Sequence, residues 1–149
     1  MTPDVIGVLL AFAAQFYDLV MLDMGTGMVD PLARLALQRA DQVLVLTSTD
    51  YVTATNVLDA VEHVDSATSE RRSAIERMTL VINKVPPGGD GRPITEVFAR
   101  AGVRRQVLLP HDEQLARMLD TATYSMEALR RSTRLAIREL GIAVGQRLV

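Results

Sequence analysis

Apolar and polar positions follow two different periods along this chain. Short apolar runs bounded by polar residues, such as residues 42–47 and 79–83, predict strands that are buried on both faces. The segments between them carry apolar residues at helical spacing; Leu32, Leu35 and Ala36, for example, share one face of a predicted helix. Strands that alternate with helices in this way indicate βαβ units, and therefore an α/β fold built on a parallel sheet.

The predicted elements account for most of the chain. Helices are expected over residues 3–15, 30–39, 52–64, 69–77, 94–101, 113–119 and 125–146, and strands over residues 18–23, 42–47, 79–83 and 106–109. Asp30 followed by Pro31 is typical of a helix start, and Ala101 followed by Gly102 is typical of a helix end. We therefore expect a single domain over residues 1–149, with about four parallel strands flanked by helices.

The composition is that of an ordinary globular domain. The 149 residues are 48% hydrophobic and 23% charged, which suits one packed core. The formal net charge of -2 gives no overall attraction to nucleic acid or to an anionic membrane. The chain has no cysteine, which excludes disulfides and thiolate metal sites, and with only 2 histidines we do not expect zinc chemistry.

The apolar segment over residues 5–16 raises the question of a membrane anchor. It is too short to span a bilayer, and it lacks the basic start of a secretory signal. We interpret it as a buried helix that leads into the first strand. The expected location is therefore the cytoplasm, with no transmembrane segment.

The stretch from Tyr17 to Gly27 carries the first candidate chemistry. Its apolar run ends in Asp23, and in parallel sheets ligands bind beyond the carboxyl ends of the strands. A carboxylate there can hold a hydrated magnesium ion, and the glycines that follow let backbone N–H groups approach a phosphate. The alternative is that Asp23 merely caps the next helix, because short patterns of an acid and glycines also occur by chance.

Lysine is almost absent from the chain. Of the 16 basic residues only Lys84 is a lysine, and it lies between a predicted strand and a loop over residues 86–91. It is not part of a Gly-x-x-x-x-Gly-Lys-Ser/Thr loop, which uses its lysine to hold the outer phosphates of a nucleotide. The stretch around Asp23 thus has the acid and the glycines of a nucleotide site but no phosphate loop upstream of it.

Four segments together resemble the MinD/ParA family of deviant P-loop ATPases. They are Tyr17-Asp-Leu-Val-Met-Leu-Asp-Met-Gly-Thr-Gly27, Ala40-Asp-Gln-Val-Leu-Val-Leu-Thr47, Leu80-Val-Ile-Asn-Lys84 and Leu108-Leu-Pro-His-Asp-Glu-Gln-Leu115. Their order and spacing match the family over most of the 149 residues. The matched region corresponds to the larger, carboxy-terminal part of such an ATPase.

The resemblance implies a role for each matched residue. Asp23 falls at the family's second nucleotide motif, whose acid helps to hold magnesium through water, and Gly27 falls at the switch loop, whose amide faces the terminal phosphate. Asn83 matches the asparagine that recognises the adenine edge, while Pro110 and Asp112 match the loop that closes over the base. The cofactors of the intact family are ATP and Mg²⁺. If the resemblance is set aside, Asn83 could be a polar residue at the end of a strand, and Pro110 and Asp112 could belong to a turn and a helix N-cap.

The chain also departs from the family. The family's first strand, its lysine-bearing phosphate loop and its second signature lysine have no counterpart in this sequence. We therefore expect an amino-terminally truncated P-loop NTPase fold that does not hydrolyse ATP by itself and binds no nucleotide tightly. Because the missing strand lies beside the strand that ends at Asp23, we also expect either a closed-up sheet or pairing between chains, with self-association as a homodimer.

Three functions are compatible with the sequence. The first is that of a fragment or degenerate member of the MinD/ParA-like ATPases, which act in bacterial cell division, chromosome partitioning or subcellular positioning. Alternatively, it is a non-catalytic interaction or regulatory module. The third alternative is a DNA-binding, partition-type protein with a basic stripe on the final helix, formed by Arg130, Arg131, Arg134 and Arg138. A solvated helix face explains the same arginines more simply.

Overall fold

The computed structural model describes residues 3–25, 31–66 and 75–145. Its helices are α1 (Pro3–Ala13), α2 (Pro31–Arg39), α3 (Tyr51–Ser66), α4 (Arg92–Arg100), α5 (Glu113–Thr121) and α6 (Arg131–Gly145). Its strands are β1 (Val43–Thr47), β2 (Met78–Val85) and β3 (Arg105–Pro110), and short 3-10 turns cover Ile75–Arg77 and Met126–Ala128. Helices therefore separate the strands, as the sequence predicts.

The strands form one parallel sheet in the order β1-β2-β3. Val45 of β1 lies beside Leu80 of β2, and Val81 of β2 lies beside Val107 of β3. The predicted α/β structure, a parallel sheet flanked by helices, is thereby confirmed. Within the described residues β1 is an edge strand, because it pairs with β2 alone.

The main core lies between the sheet and the helices α3 and α4. Leu80 and Ile82 of β2 are fully buried in one cluster with Phe98 of α4. Val81, which alternates with them, points to the opposite face of the sheet, and on that side α6 packs against β3. A central parallel strand is covered on both faces, which explains why β2 is continuously buried from Met78 to Ile82.

A buried arginine connects α2 to the sheet. The guanidinium of Arg77, just before β2, donates hydrogen bonds to the backbone oxygens of Leu37, at 2.9 Å, and of Ala40. These carbonyls lie at the end of α2, where a helix leaves its last C=O groups without intrahelical partners and where a cation meets the negative end of the helix dipole. Arg77 therefore caps α2 and fixes it beside β2.

The prediction of a strand over residues 18–23 is wrong. These residues form no regular secondary structure and pair with no strand of the described sheet. Their apolar side chains are exposed, from 38% for Leu22 to 76% for Met21. A strand needs neighbours for its backbone N–H and C=O groups, and an apolar run carries no information on whether such a neighbour exists. Of the two alternatives that we expected, a closed-up sheet of about four strands is not found in the described part of the chain, which has a three-stranded sheet, and pairing between chains stays a prediction.

The amino-terminal helix forms, but it is not buried as predicted. Hydrogen-bonded turns continue from the end of α1 to Tyr17, and the side chains of Val8 and Phe12 are 69% and 60% exposed. α1 contacts α2 on one side. Because α1 is apolar all round, its residue types could not show that its other side faces solvent.

Smaller differences concern the helix ends. The final helix begins at Arg131 rather than near residue 125, because Leu129 adopts an extended conformation after a 3-10 turn and interrupts the helix. The helix predicted over residues 69–77 is described only from Ile75, where a 3-10 turn is found, and the Asp30 cap lies outside the described residues. Gly102 has φ +98°, which confirms the predicted glycine stop after α4.

Candidate functional site

The carboxyl ends of the strands lie along one edge of the sheet. β1, β2 and β3 end at Thr47, Val85 and Pro110, and the pairing extends one residue further because the backbone N–H of His111 donates to the carbonyl oxygen of Val85 at 2.7 Å. Ligands of open parallel α/β sheets bind beyond this edge. The predicted site residues Asn83 and Pro110 are therefore on adjoining strands at the edge where a ligand is expected.

Asn83 lies on an irregularity of β2. The register of β2 against β3 shifts between Ile82 and Val85, so that Asn83 and Lys84 together oppose one residue of β3 in a β-bulge. Lys84 has φ +57°, in the left-handed region that residues other than glycine rarely adopt. The Oδ1 atom of Asn83 accepts a hydrogen bond from the backbone N–H of Lys84 at 2.9 Å. Bulges change the direction of side chains and are frequent beside active sites, and hydrophobic periodicity gave no sign of this one.

Asp112 is buried, and its carboxylate joins two helices. Its Oδ1 accepts a hydrogen bond from the backbone N–H of Gln114 at 3.0 Å, which caps α5. Its Oδ2 accepts from the backbone N–H of Arg130 at 3.0 Å and from the hydroxyl of Thr133 at 2.7 Å, which ties α5 to the start of α6. The N-cap that the sequence offered as an alternative is thus confirmed, and the carboxylate is turned into the protein.

The same contacts determine the charge state of Asp112. The Thr133 hydroxyl, followed by the backbone N–H groups of Arg130 and Gln114, holds the pKa of this carboxyl below its ordinary value of 3.8. Burial acts in the opposite direction but does not prevail. Asp112 is therefore an ionised carboxylate at neutral pH, and its charge is stabilised by donors of the protein itself.

Thr47, at the carboxyl end of β1, is a residue of this edge that the sequence did not indicate as part of a site. It is 6% exposed, and its Oγ1 atom is buried without a hydrogen-bond partner in the described structure. Because buried polar atoms nearly always have a partner, this hydroxyl is an unusual feature at the carboxyl end of β1. Its only signal in the sequence is its position at the end of a strand.

Asp23 is not held at this edge by strand pairing, because its segment is not part of the described sheet. It is exposed, and its Oδ1 accepts a hydrogen bond from the backbone N–H of Gly25 at 3.1 Å. Gly25 has φ +60°, so the turn requires a glycine at this position. Gly27 lies outside the described residues. Among the residues that are described, no three Asp, Glu or His side chains are arranged to hold a metal ion.

A cleft of about 310 Å³ lies elsewhere, between β3 and α6. It is lined by Arg104, Arg105, Gln106, Val107, Glu139, Ile142 and Ala143. Its β3 residues are at the amino end of the strand, away from Asn83, and the guanidinium of Arg105 is engaged with the carbonyl oxygen of Ala143 at 3.0 Å. The carboxyl ends of the strands therefore remain the candidate site.

The groups at this edge suit the recognition of a polar ring. The side-chain amide of Asn83 can both donate and accept hydrogen bonds, and Pro110 lies on the adjoining strand.

No helix in the described ranges is long and apolar enough to cross a membrane. A scan against family models and a search of curated proteins found no match to this chain.

Proposed function

We propose that this chain is a MinD/ParA-like nucleotide-site module that keeps the adenine side of the site and does not hydrolyse ATP by itself. The observation that carries the proposal is the Asn83 bulge at the carboxyl edge of a parallel sheet, with Pro110 on the adjoining strand. The order of the four segments that resemble the family supports the same assignment. By that resemblance the protein acts in the bacterial cytoplasm, in cell division, chromosome partitioning or subcellular positioning.

Asn83 supplies the hydrogen bonds to the base. The bulge moves it out of the regular pleat of β2, and the bond from the backbone N–H of Lys84 to its Oδ1 fixes the plane of the amide. A fixed amide presents a donor and an acceptor side by side, which matches the donor and acceptor on the edge of adenine. Pro110, which lies opposite Val85, adds a conformationally restricted apolar ring at the same edge of the sheet. Asp112 contributes by fixing the chain that follows Pro110, through the cap of α5.

The phosphate side of the site is incomplete in this chain. Transfer of a phosphoryl group needs cations that hold and polarise the outer phosphates. The acid that would hold Mg²⁺ through water is Asp23, which is exposed on a segment outside the sheet, so the described residues do not fit a magnesium site. The sole lysine, Lys84, lies on the bulge of β2. We therefore expect weak binding of nucleotide, through the base, and no hydrolysis.

A titration of isotope-labelled protein with ATP and Mg²⁺, followed by NMR, tests this function. We expect millimolar ATP to shift the backbone amide signals of Asn83, Lys84 and His111, and we expect the shifts to disappear in Asn83→Ala. GTP is the matched ligand control, because guanine presents a different pattern of donors and acceptors. The melting temperature will change little, since a ligand at its dissociation constant stabilises the fold by only about 0.4 kcal/mol.

The protein offers a matched control variant in Asn56→Ala, which changes an exposed asparagine of α3 and is expected to leave the ATP response intact. ATP that shifts no signal at the strand ends, or shifts them equally in Asn83→Ala, would contradict the assignment of the adenine side. Magnesium-dependent release of phosphate by the purified chain would contradict the absence of hydrolysis.

A second candidate function is DNA binding through α6. Arg131, Arg134 and Arg138 are all exposed on this helix, which is anchored by the buried residues Thr133 and Ala136. A basic helix face of this kind can contact phosphates without reading the base sequence. The exposure of the three arginines is the observation that favours this candidate, and a binding measurement with duplex DNA decides it.

A further inference from the structure

The apolar residues on the solvent side of α1 form a continuous stripe. Val5, Val8, Leu9, Phe12 and Phe16, which we call the α1 stripe, are 49%, 69%, 52%, 60% and 66% exposed. They recur at the spacing that places residues on one face of a helix. The rings of Phe12 and Phe16 are in contact, with centroids 4.8 Å apart and an interplanar angle of 49°. α1 therefore presents a ridge of large apolar side chains to water.

The exposed apolar surface continues beyond the helix. Tyr17 is 68% exposed and Met21 is 76% exposed, and Leu19 and Val20 between them are exposed as well. At about 150–250 Å² for each aromatic ring, and somewhat less for each aliphatic side chain, the exposed apolar area over residues 5–22 is on the order of 1,000 Å². The largest apolar patch of a typical monomer is about 300–600 Å². A surface of this size indicates that a partner covers it.

The charges of this region exclude an anionic membrane as that partner. Residues 3–25 contain no lysine or arginine, and their charged residues are Asp4, Asp18 and Asp23. A helix that docks on an anionic lipid surface carries basic residues beside its apolar face, because the headgroups repel acids. The chemistry of the region therefore favours an apolar protein surface over a lipid one.

We propose that a second copy of this chain covers the α1 stripe, with the two α1 helices packed against each other around a two-fold axis. A specific interface buries about 800 Å² on each partner, so the α1 stripe and the exposed apolar residues 17–22 are both needed to supply that area. A two-fold axis brings the same patch of each copy together, so an apolar stripe meets an apolar stripe. Asp4 belongs to the first turn of α1, and Asp18 and Asp23 belong to the segment after the helix, so no acid interrupts the α1 stripe. This dimer does not depend on the nucleotide site.

Light scattering coupled to size-exclusion chromatography tests the dimer. We expect the chain to have twice its monomer mass of 16.3 kDa at micromolar concentration and to dissociate on dilution. Val8→Glu places an unpaired carboxylate in the middle of the apolar interface, so we expect the dissociation constant of the dimer to rise at least about tenfold. Val52→Glu is the matched control, because Val52 is a valine of α3 with a similar exposure of 64%.

The absence of cysteine from the sequence provides an independent measurement, since single cysteines can be introduced without any background. Under mild oxidation we expect Val8→Cys to form a disulfide-linked dimer and Val52→Cys to form no intermolecular disulfide. This comparison also tests the proposal if Val8→Glu fails to fold, as judged by circular dichroism. A wild-type chain that stays at 16.3 kDa at every concentration would overturn the proposal. Equal cross-linking of the two cysteine variants, or binding of a monomer to phosphatidylcholine vesicles, would also overturn it.

Discussion

Replacing Asp112 with alanine tests whether one carboxylate organises the carboxy-terminal part of the fold. Its two oxygens accept hydrogen bonds from the backbone N–H of Gln114, the backbone N–H of Arg130 and the hydroxyl of Thr133. The first caps α5, and the other two fix the start of α6. Because α6 packs against β3, the loss of this carboxylate affects the cover of the sheet as well as the two helix ends.

The cost can be worked out bond by bond. Removal of an N-cap side chain costs about 0.5–2 kcal/mol. The hydroxyl of Thr133, which is 0% exposed, and the backbone N–H of Arg130 also lose their acceptor, and each buried group left without a partner costs about 1–3 kcal/mol. We therefore expect Asp112→Ala to lower the free energy of unfolding by at least about 2.5 kcal/mol, the sum of the lower limits. Small domains are stable by roughly 5–15 kcal/mol, so this loss is a substantial part of the total.

Urea unfolding followed by circular dichroism measures this free energy by linear extrapolation. Thr133→Val removes only the hydroxyl bond, and we expect it to cost about 1–2 kcal/mol. The double variant Asp112→Ala with Thr133→Val will cost less than the sum of the two single changes, because both remove the same hydrogen bond. Asp90→Ala is the control, since Asp90 is an exposed aspartate whose pKa is likewise lowered, by its hydrogen bond with Arg92.

The pH dependence of unfolding follows from the direction of the pKa shift. The pKa of Asp112 is lower in the folded protein than in the unfolded chain, so its stabilising contribution is present above the unfolded pKa and is lost as the pH falls through the folded pKa. We expect the difference between the wild type and Asp112→Ala to be constant near neutral pH and to shrink below about pH 4. A loss of less than about 1 kcal/mol at neutral pH, or single-variant losses that add fully in the double variant, would refute this account of Asp112.

Two further predictions concern backbone strain and nucleic acid. Lys84→Gly is expected to raise the free energy of unfolding by about 0.5–1 kcal/mol, because glycine adopts a positive φ without the penalty that lysine bears. Urea unfolding measures this gain, and Lys84→Ala, the control, is expected to show none. If α6 contacts duplex DNA, affinity will fall with rising salt, and Arg134→Gln will reduce the slope of log affinity against log salt by about 0.9, whereas Arg100→Gln on α4 will not. Binding that does not respond to salt would remove the DNA-binding candidate.

Much of the fold could be predicted from the sequence because most of its elements are set by local pattern. β1 was predicted to within a residue, and β2 and β3 have the predicted centres with longer ends. The glycine stop at Gly102 and the cap at Asp112 were recognisable because each depends on a residue type with a specific backbone property. The elements that failed depend on partners instead. The apolar run over residues 18–23 and the apolar helix α1 look like core, but in the described structure they lack cover.

The candidate site was predictable in part, because some of its residues belong to strands that are set by local pattern. Asn83 and Pro110 belong to strands that form, so the sheet places them at one edge as expected. The bulge at Asn83 and Lys84 and the buried hydroxyl of Thr47 arise from the pairing of strands and the packing around them, which residue spacing does not encode. The inward direction of the Asp112 carboxylate likewise depends on Arg130 and Thr133, which are distant in sequence.

The exposed run over residues 18–23 and the open edge of β1 have one physical cause. A strand contributes an acid to a site at the sheet edge only when a ladder of backbone hydrogen bonds holds its end there. Within the described residues β1 pairs with β2 alone, and the run that ends in Asp23 makes no such ladder, so its carboxylate is occupied with the N–H of Gly25 in water-exposed surroundings. Asn83 and Asp23 therefore differ in more than sequence position: the first is fixed by a central strand, and the second has no strand to fix it. A site that needs both side chains therefore requires a partner strand that holds the end of residues 18–23 at the edge of the sheet.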